Sequence, residues 1–132
     1  MTNDWLADIV VVNESRELAV AGDISVFRSV GEACRSLEHW WVENGEGFAF
    51  TAAGGRLILD LEDGKRVIVT GQQTAEGGPE VVQAWLRACA AAVLDARRSN
   101  AKKGNAALSP FEEKGQLPTS MEGLIAYIGF SS

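Results

Sequence analysis

One histidine and two cysteines among 132 residues leave little for metal or thiol chemistry. A structural zinc site takes four ligands, mostly cysteine and histidine, so His39, Cys34 and Cys89 together fall short of one. Each cysteine sits among apolar or alanine neighbours in a helix-like pattern, where a small buried hydrophobe is expected rather than half of a disulfide. Long apolar runs are missing too. None approaches the roughly 20 residues that a membrane-spanning helix needs. The opening MTNDWLADIV is acidic and has neither the basic stretch nor the small-residue cleavage site of a secretory signal, so a cytoplasmic protein is expected. Phosphate-binding loops are absent as well. The GGRLIL and GDISVF stretches lack the lysine of a P-loop and the spacing of a dinucleotide fingerprint, and Gly45-Glu46-Gly47, with acidic neighbours, reads as a turn. No cofactor and no metal are expected.

Positive charge is scarce: 12 Lys and Arg face 18 Asp and Glu, a net charge of −6. The deficit is uneven. Residues 1–63 hold twelve acidic side chains against four arginines, a net of −8, and the rest of the chain is net +2. Affinity for phosphates comes from clustered Lys and Arg, so nucleic acid is not the expected partner. A basic macromolecule is the natural counterpart of the acidic half, beside the plainer role of keeping the chain in solution.

Glycine marks out the element around which the chain is organised. Residues 48–51, 56–61 and 66–70 are rich in β-branched or aromatic side chains and are separated by Gly54-Gly55 and Asp63-Gly64. Those pairs supply the positive φ of tight hairpins, so the stretch predicts a three-stranded antiparallel meander. Leu57, Leu59, Leu61, Val67 and Val69 fall on one face of it, which predicts a sheet covered mainly on that side. Upstream, the apolar runs 9–12 and 18–20 are candidates to pair across Asn13-Glu14-Ser15-Arg16, and residues 24–27 form a further strand. Ser29 with Glu32 makes a capping box for a helix over about 30–39. That helix ends at the turn 43–47, which carries Glu43 and Glu46. After a loop, GQQTAEGG, Pro79 and Glu80 open a long helix to about residue 99. Its stripe of Val81, Val82, Trp85, Leu86, Cys89, Val93 and Ala96 is expected to pack across the apolar face of the sheet. A basic linker over 100–105, a short segment around Phe111 and a capped helix over 121–128 complete a single α+β domain spanning residues 1–132.

No catalytic constellation stands out. No serine or cysteine presents itself as a nucleophile for His39, and Asp60, Glu62 and Asp63 share a strand end and turn of the kind water usually solvates. The feature least explained by a plain core is Trp40-Trp41. Neighbours on a helix cannot both point inward, so one ring is expected to cover the sheet while the other is partly exposed beside Glu38, Glu43 and Glu46. An aromatic anchor with a charged rim is a common composition for a protein-binding patch.

The texture of residues 23–61 carries a resemblance. A strand ends in Phe27-Arg28-Ser29 and leads into a helix with Glu32-Ala33 and Leu37-Glu38. The turn Val42-Glu43-Asn44-Gly45-Glu46 follows, then a strand reaching the Gly55-Arg56-Leu57 hairpin. This resembles small bacterial immunity-type proteins that neutralise the toxic C-terminal domain of polymorphic or contact-dependent inhibition toxins. The resemblance implies a cytoplasmic, non-enzymatic binding protein that occludes the active site of a cognate toxin domain, frequently a nuclease with a basic groove. The contact surface is expected from the acidic excess of this half and the aromatic beside it, not from the resemblance: Glu38, Trp40 or Trp41, Glu43 and Glu46, extended by Asp60, Glu62 and Asp63. Two other readings stay open: a small enzyme or ligand binder using His39 with Glu43 or Asp60, and a scaffold that forms a homo-oligomer through the helical stripe.

Overall fold

The computed structural model describes residues 4–74, 76–104 and 107–131. In chain order the elements are α1 (Asp4–Asp8), β1 (Val10–Glu14), β2 (Asp23–Phe27), α2 (Val30–Ser36), α3 (His39–Glu43), β3 (Phe48–Thr51), β4 (Gly55–Glu62), β5 (Arg66–Thr74), α4 (Gly78–Lys102), α5 (Pro110–Glu113) and α6 (Met121–Ile128). The strands form one antiparallel sheet in the order β2-β1-β3-β4-β5. This is the α+β fold that the patterning predicts, with β3, β4 and β5 adjacent in the order of the expected meander, although β3 meets β4 at a single pair. Asp63 at φ 55° and Gly64 at φ 67° make the β4–β5 turn, where the Lys65 N–H donates to the Glu62 carbonyl at 3.1 Å.

The sheet is covered on both faces, not mainly on one. Ile9, Val11, Val26 and Phe50 pack against Val82, Trp85, Leu86 and Ala90 of α4 and Leu124 and Ile125 of α6. Val10, Val12, Phe27, Ala49 and Leu57 pack against Ala33 of α2 and Trp41 of α3 on the other side, with Leu37, Leu59 and Val69 beside them. The expectation that α4 covers Leu57 and Leu59 is therefore corrected: α2 and α3 cover that face. The large partner for Trp85 is Phe50, met edge to face with ring centroids 5.1 Å apart. Phe50 pairs with Arg56 and so lies on the side opposite Leu57. The unbroken run 9–12 is the sequence counterpart of this two-sided burial.

β1 pairs with β2, not with residues 18–20. The reason is Asn13, fully buried at the end of the strand. Its Nδ2 donates to the Val20 carbonyl at 2.9 Å and its Oδ1 accepts from the Gly22 N–H at 2.8 Å, tying residues 15–22 into a folded loop. Leu18 then packs on the α4 side, and its carbonyl accepts from Trp85 Nε1–H at 2.9 Å. The helix expected over 30–39 is two helices. Leu37 and Glu38 are extended, with ψ of 134° and 150°. This bend seats both Leu37 and Trp41 on the twisted sheet, and that burial outweighs continuing the helix. Ser29 caps α2 by accepting from the Glu32 N–H at 3.1 Å. Only half of the capping box forms, because the Glu32 carboxylate faces Arg28 at 3.6 Å.

Gly71–Thr74 of the expected loop extend β5, and its Ala75 lies outside the described residues. Helix α4 runs past residue 99 to Lys102, because no breaker intervenes before Gly104 at φ 79°. Asn105 of the expected linker also lies outside the described residues. Beyond α6, the Ser131 N–H donates to the Val26 carbonyl at 2.7 Å and closes part of the β2 edge. Among the described residues no helix is long and apolar enough to cross a membrane.

Candidate functional site

Helix α3 is a single turn whose two tryptophans part company. Trp41 is 3% exposed and Trp40 is 46% exposed. Adjacent helical residues are separated by about 100°, so Trp41 can face the sheet only if Trp40 turns toward solvent. Trp40 and Glu43, three apart, share the outer side of the turn. Glu38 precedes them as the N-cap without using its carboxylate for the cap. Glu38 and Glu43 are exposed and make no ion pair with the described residues, so both charges are available. Glu46 is half-buried and faces Arg16 at 3.5 Å.

The remaining acidic candidates lie elsewhere. Asp60 and Glu62 alternate with Leu57 and Leu59 along β4 and so point away from the α2–α3 layer. Glu62 pairs with Arg66, Asp60 accepts the Leu61 N–H at 2.8 Å, and Asp63 sits at the hairpin tip. The structure thus brings Glu38, Trp40 and Glu43 together, with Glu46 close in the chain, and separates them from Asp60 and Glu62. His39 is exposed and has no hydrogen bond or ion pair with any described residue. Cys34 and Cys89 are free and half-buried, on helices that cover opposite faces of the sheet, and burial pushes both thiols up. Among the described residues no group of three or more His, Cys, Asp or Glu gathers to hold a metal ion.

The inner side of α3 lines a cleft that sequence patterning does not reveal. β3 and β4 pair only at Phe50 and Arg56, and beyond that pair the strands part. Between Phe48 and Ala49 on one strand and residues 56–59 on the other opens a space of about 370 Å3, closed by Trp41, Val42, Gly45, Gly47 and Gln73. Gly47 passes so close to Asn13 that a Cβ there would run into the Asn13 carbonyl and lie 2.7 Å from Trp41 Cζ2. Trp41 Nε1–H is buried without an acceptor among the described residues. An unmet buried donor costs about 1–3 kcal/mol.

A second polar cluster went unread in the sequence. Glu112 is 3% exposed, and its carboxylate accepts from Arg97 Nε and Nη2, from the Ser109 N–H and Oγ–H at 3.0 Å each, and from Tyr127 Oη–H at 2.7 Å. The Arg97 guanidinium, then the Tyr127 and Ser109 hydrogen bonds, hold its carboxyl well below the usual range. Burial, with the Glu112 hydrogen bond next, pushes Tyr127 up to about 12. Every partner is committed, so the cluster ties α5 to α4 and α6 and has no proton to exchange near neutrality. The Ser109–Glu112 spacing is that of a capping box and was the available signal.

No protein-family model matches the chain, and neither the curated proteins nor the solved structures compared with it include a match.

Proposed function

We propose that this protein is a non-enzymatic binding module that docks a basic protein partner on the outer side of α3, through Trp40 framed by Glu38 and Glu43. The observation that carries the reading is the pairing of a tryptophan nearly half exposed with two carboxylates that have no cation of their own among the described residues. Aromatic anchors supply desolvated contact area, and unpaired charge supplies steering and orientation. The resemblance over residues 23–61 supports naming the partner: the cognate domain of a bacterial toxin, whose active site the bound protein covers. An acidic face suits a nuclease target, because its carboxylates occupy the positions that substrate phosphates would take. His39, exposed and without a partner among the described residues, lends no support to the alternative of an acid–base site.

The test uses the C-terminal domain encoded immediately upstream, with binding followed by stopped-flow fluorescence. Glu38→Lys with Glu43→Lys is expected to slow association and flatten its salt dependence while leaving the fold intact. Trp40→Ala is expected to act mainly on dissociation, by about 2 kcal/mol if the ring is a hot spot. Association of the charge-reversed protein at the wild-type rate in low salt would refute this surface.

A further inference from the structure

We propose that the open side of β4 and β5 is a self-association surface, on which a second copy of this chain docks face to face about a two-fold axis at Ile58. On the α4 side, the sheet contributes to the packed core through β1, β2 and β3, not through β4 or β5. Alternation turns Arg56, Ile58 and Asp60 to that side, because Leu57 and Leu59 face α2 and α3. Gly71 pairs with Ile58, and Ile68 with Asp60, so these two residues of β5 share the same side. Ile58 is 40% exposed. Its Cδ1 stands 3.4 Å from where a Cβ on Gly71 would lie, so the isoleucine spreads over the glycine and leaves a low apolar patch.

The order of charge along β4 selects a second copy as the occupant. Arg56 and Asp60 stand two residues to either side of Ile58, and neither has an ion-pair partner among the described residues. A two-fold axis lying in the plane of the sheet and perpendicular to β4 sets the strand antiparallel on its own copy. Ile58 then meets Ile58, and each Arg56 meets the other copy's Asp60, an isologous contact with two ion pairs around an apolar centre. Sheets packed face to face stand about 10 Å apart with their strands within about 30° of each other, a gap that an arginine and an aspartate span together. The Arg56 guanidinium is already held over the Phe48 ring, 5.0 Å from its centroid, so less freedom is lost when it pairs. Glu62, further along the strand, is paired with Arg66 and does not compete for Arg56. A face of two strands is small beside the interface of an obligate dimer, so the dimer is transient and concentration-dependent. It lies on the side of the sheet away from α3, and either proposal can fail without the other.

The experiment is sedimentation of the full chain from about 10 μM to about 1 mM, a span that covers transient association. The average mass is expected to rise from monomer toward dimer across it. Arg56→Asp and Asp60→Arg, both at exposed positions, are each expected to keep the circular dichroism of the folded protein. Each is also expected to weaken self-association at least about tenfold, because like charges then face each other across the axis. Mixing the two variants restores opposite charges at both contacts, so the mixture is expected to form a heterodimer at wild-type concentrations. A wild-type chain that stays monomeric throughout would overturn the proposal. So would single variants that associate as wild type does, which would place the contact elsewhere, or a mixture of the two folded variants that stays monomeric.

Discussion

Tyr127 is the only tyrosine in the chain, so a single absorbance band reports on the Glu112 cluster. Its hydroxyl donates to a buried carboxylate, and ionising it would set two negative charges against each other. In the native protein tyrosinate absorbance is expected to rise with a midpoint near 12, against 10 in urea. The stability this contributes is fully present below pH 10 and is lost as pH climbs from there through the folded value. Glu112 behaves in the opposite sense. Its folded pKa is depressed below 4.5, so its contribution is present above that pH and is lost as acid drives protonation in the folded state. Tyr127→Phe should flatten the alkaline limb of urea stability, and Glu112→Gln the acid limb. A native tyrosine midpoint at 10 would show that the hydrogen bond does not persist in solution. Sequence alone did not reveal this cluster, because Arg97 and Glu112 meet only when the chain after α4 doubles back. The split of Trp40 from Trp41 was legible, because it follows from helical geometry whatever the tertiary fold.

At the scale of elements, Trp85 joins three pieces: α4, the face of the sheet at Phe50, and the loop through the Leu18 carbonyl. Trp85→Ala is expected to cost about 3–5 kcal/mol, measured by urea unfolding. A loss below 1 kcal/mol would mean that α4 can settle without it. The two glycine-marked turns and the long helix were readable because their signals are local: positive φ at Asp63-Gly64 and a proline in the first turn of α4. Three features were not, and each was decided at a distance. Asn13 chose the partner of β1 by folding the intervening loop around its amide. Seating Leu37 and Trp41 bent one helix into two. The alternation of β4 identified an apolar face but not which helices would cover it, because β1 offers valines to both sides. The cleft was invisible for a related reason: β3 and β4 each read as good strands, and nothing in either says that they part after one pair.

Across the whole molecule, the two layers of helices touch different residues of the same strand. Val11, with Ile9 just before the strand, serves the α4–α6 side, and Val10 and Val12 serve the α2–α3 side. β1 is also hydrogen-bonded along both edges, to β2 and to β3. Fraying can therefore free β5, α5 or the end of α4 while leaving it in place, but no partial opening frees β1 itself. Its amide hydrogens should trade with solvent deuterium only when the entire chain unfolds, with protection at Val11 and Val12 equal to the global unfolding free energy. Exchange at those two positions much faster than in the middle of α4 would reveal two half-structures that melt separately. Otherwise five residues in the middle of the sheet act as the shared clock of the protein, and both sides of the molecule open on its tick.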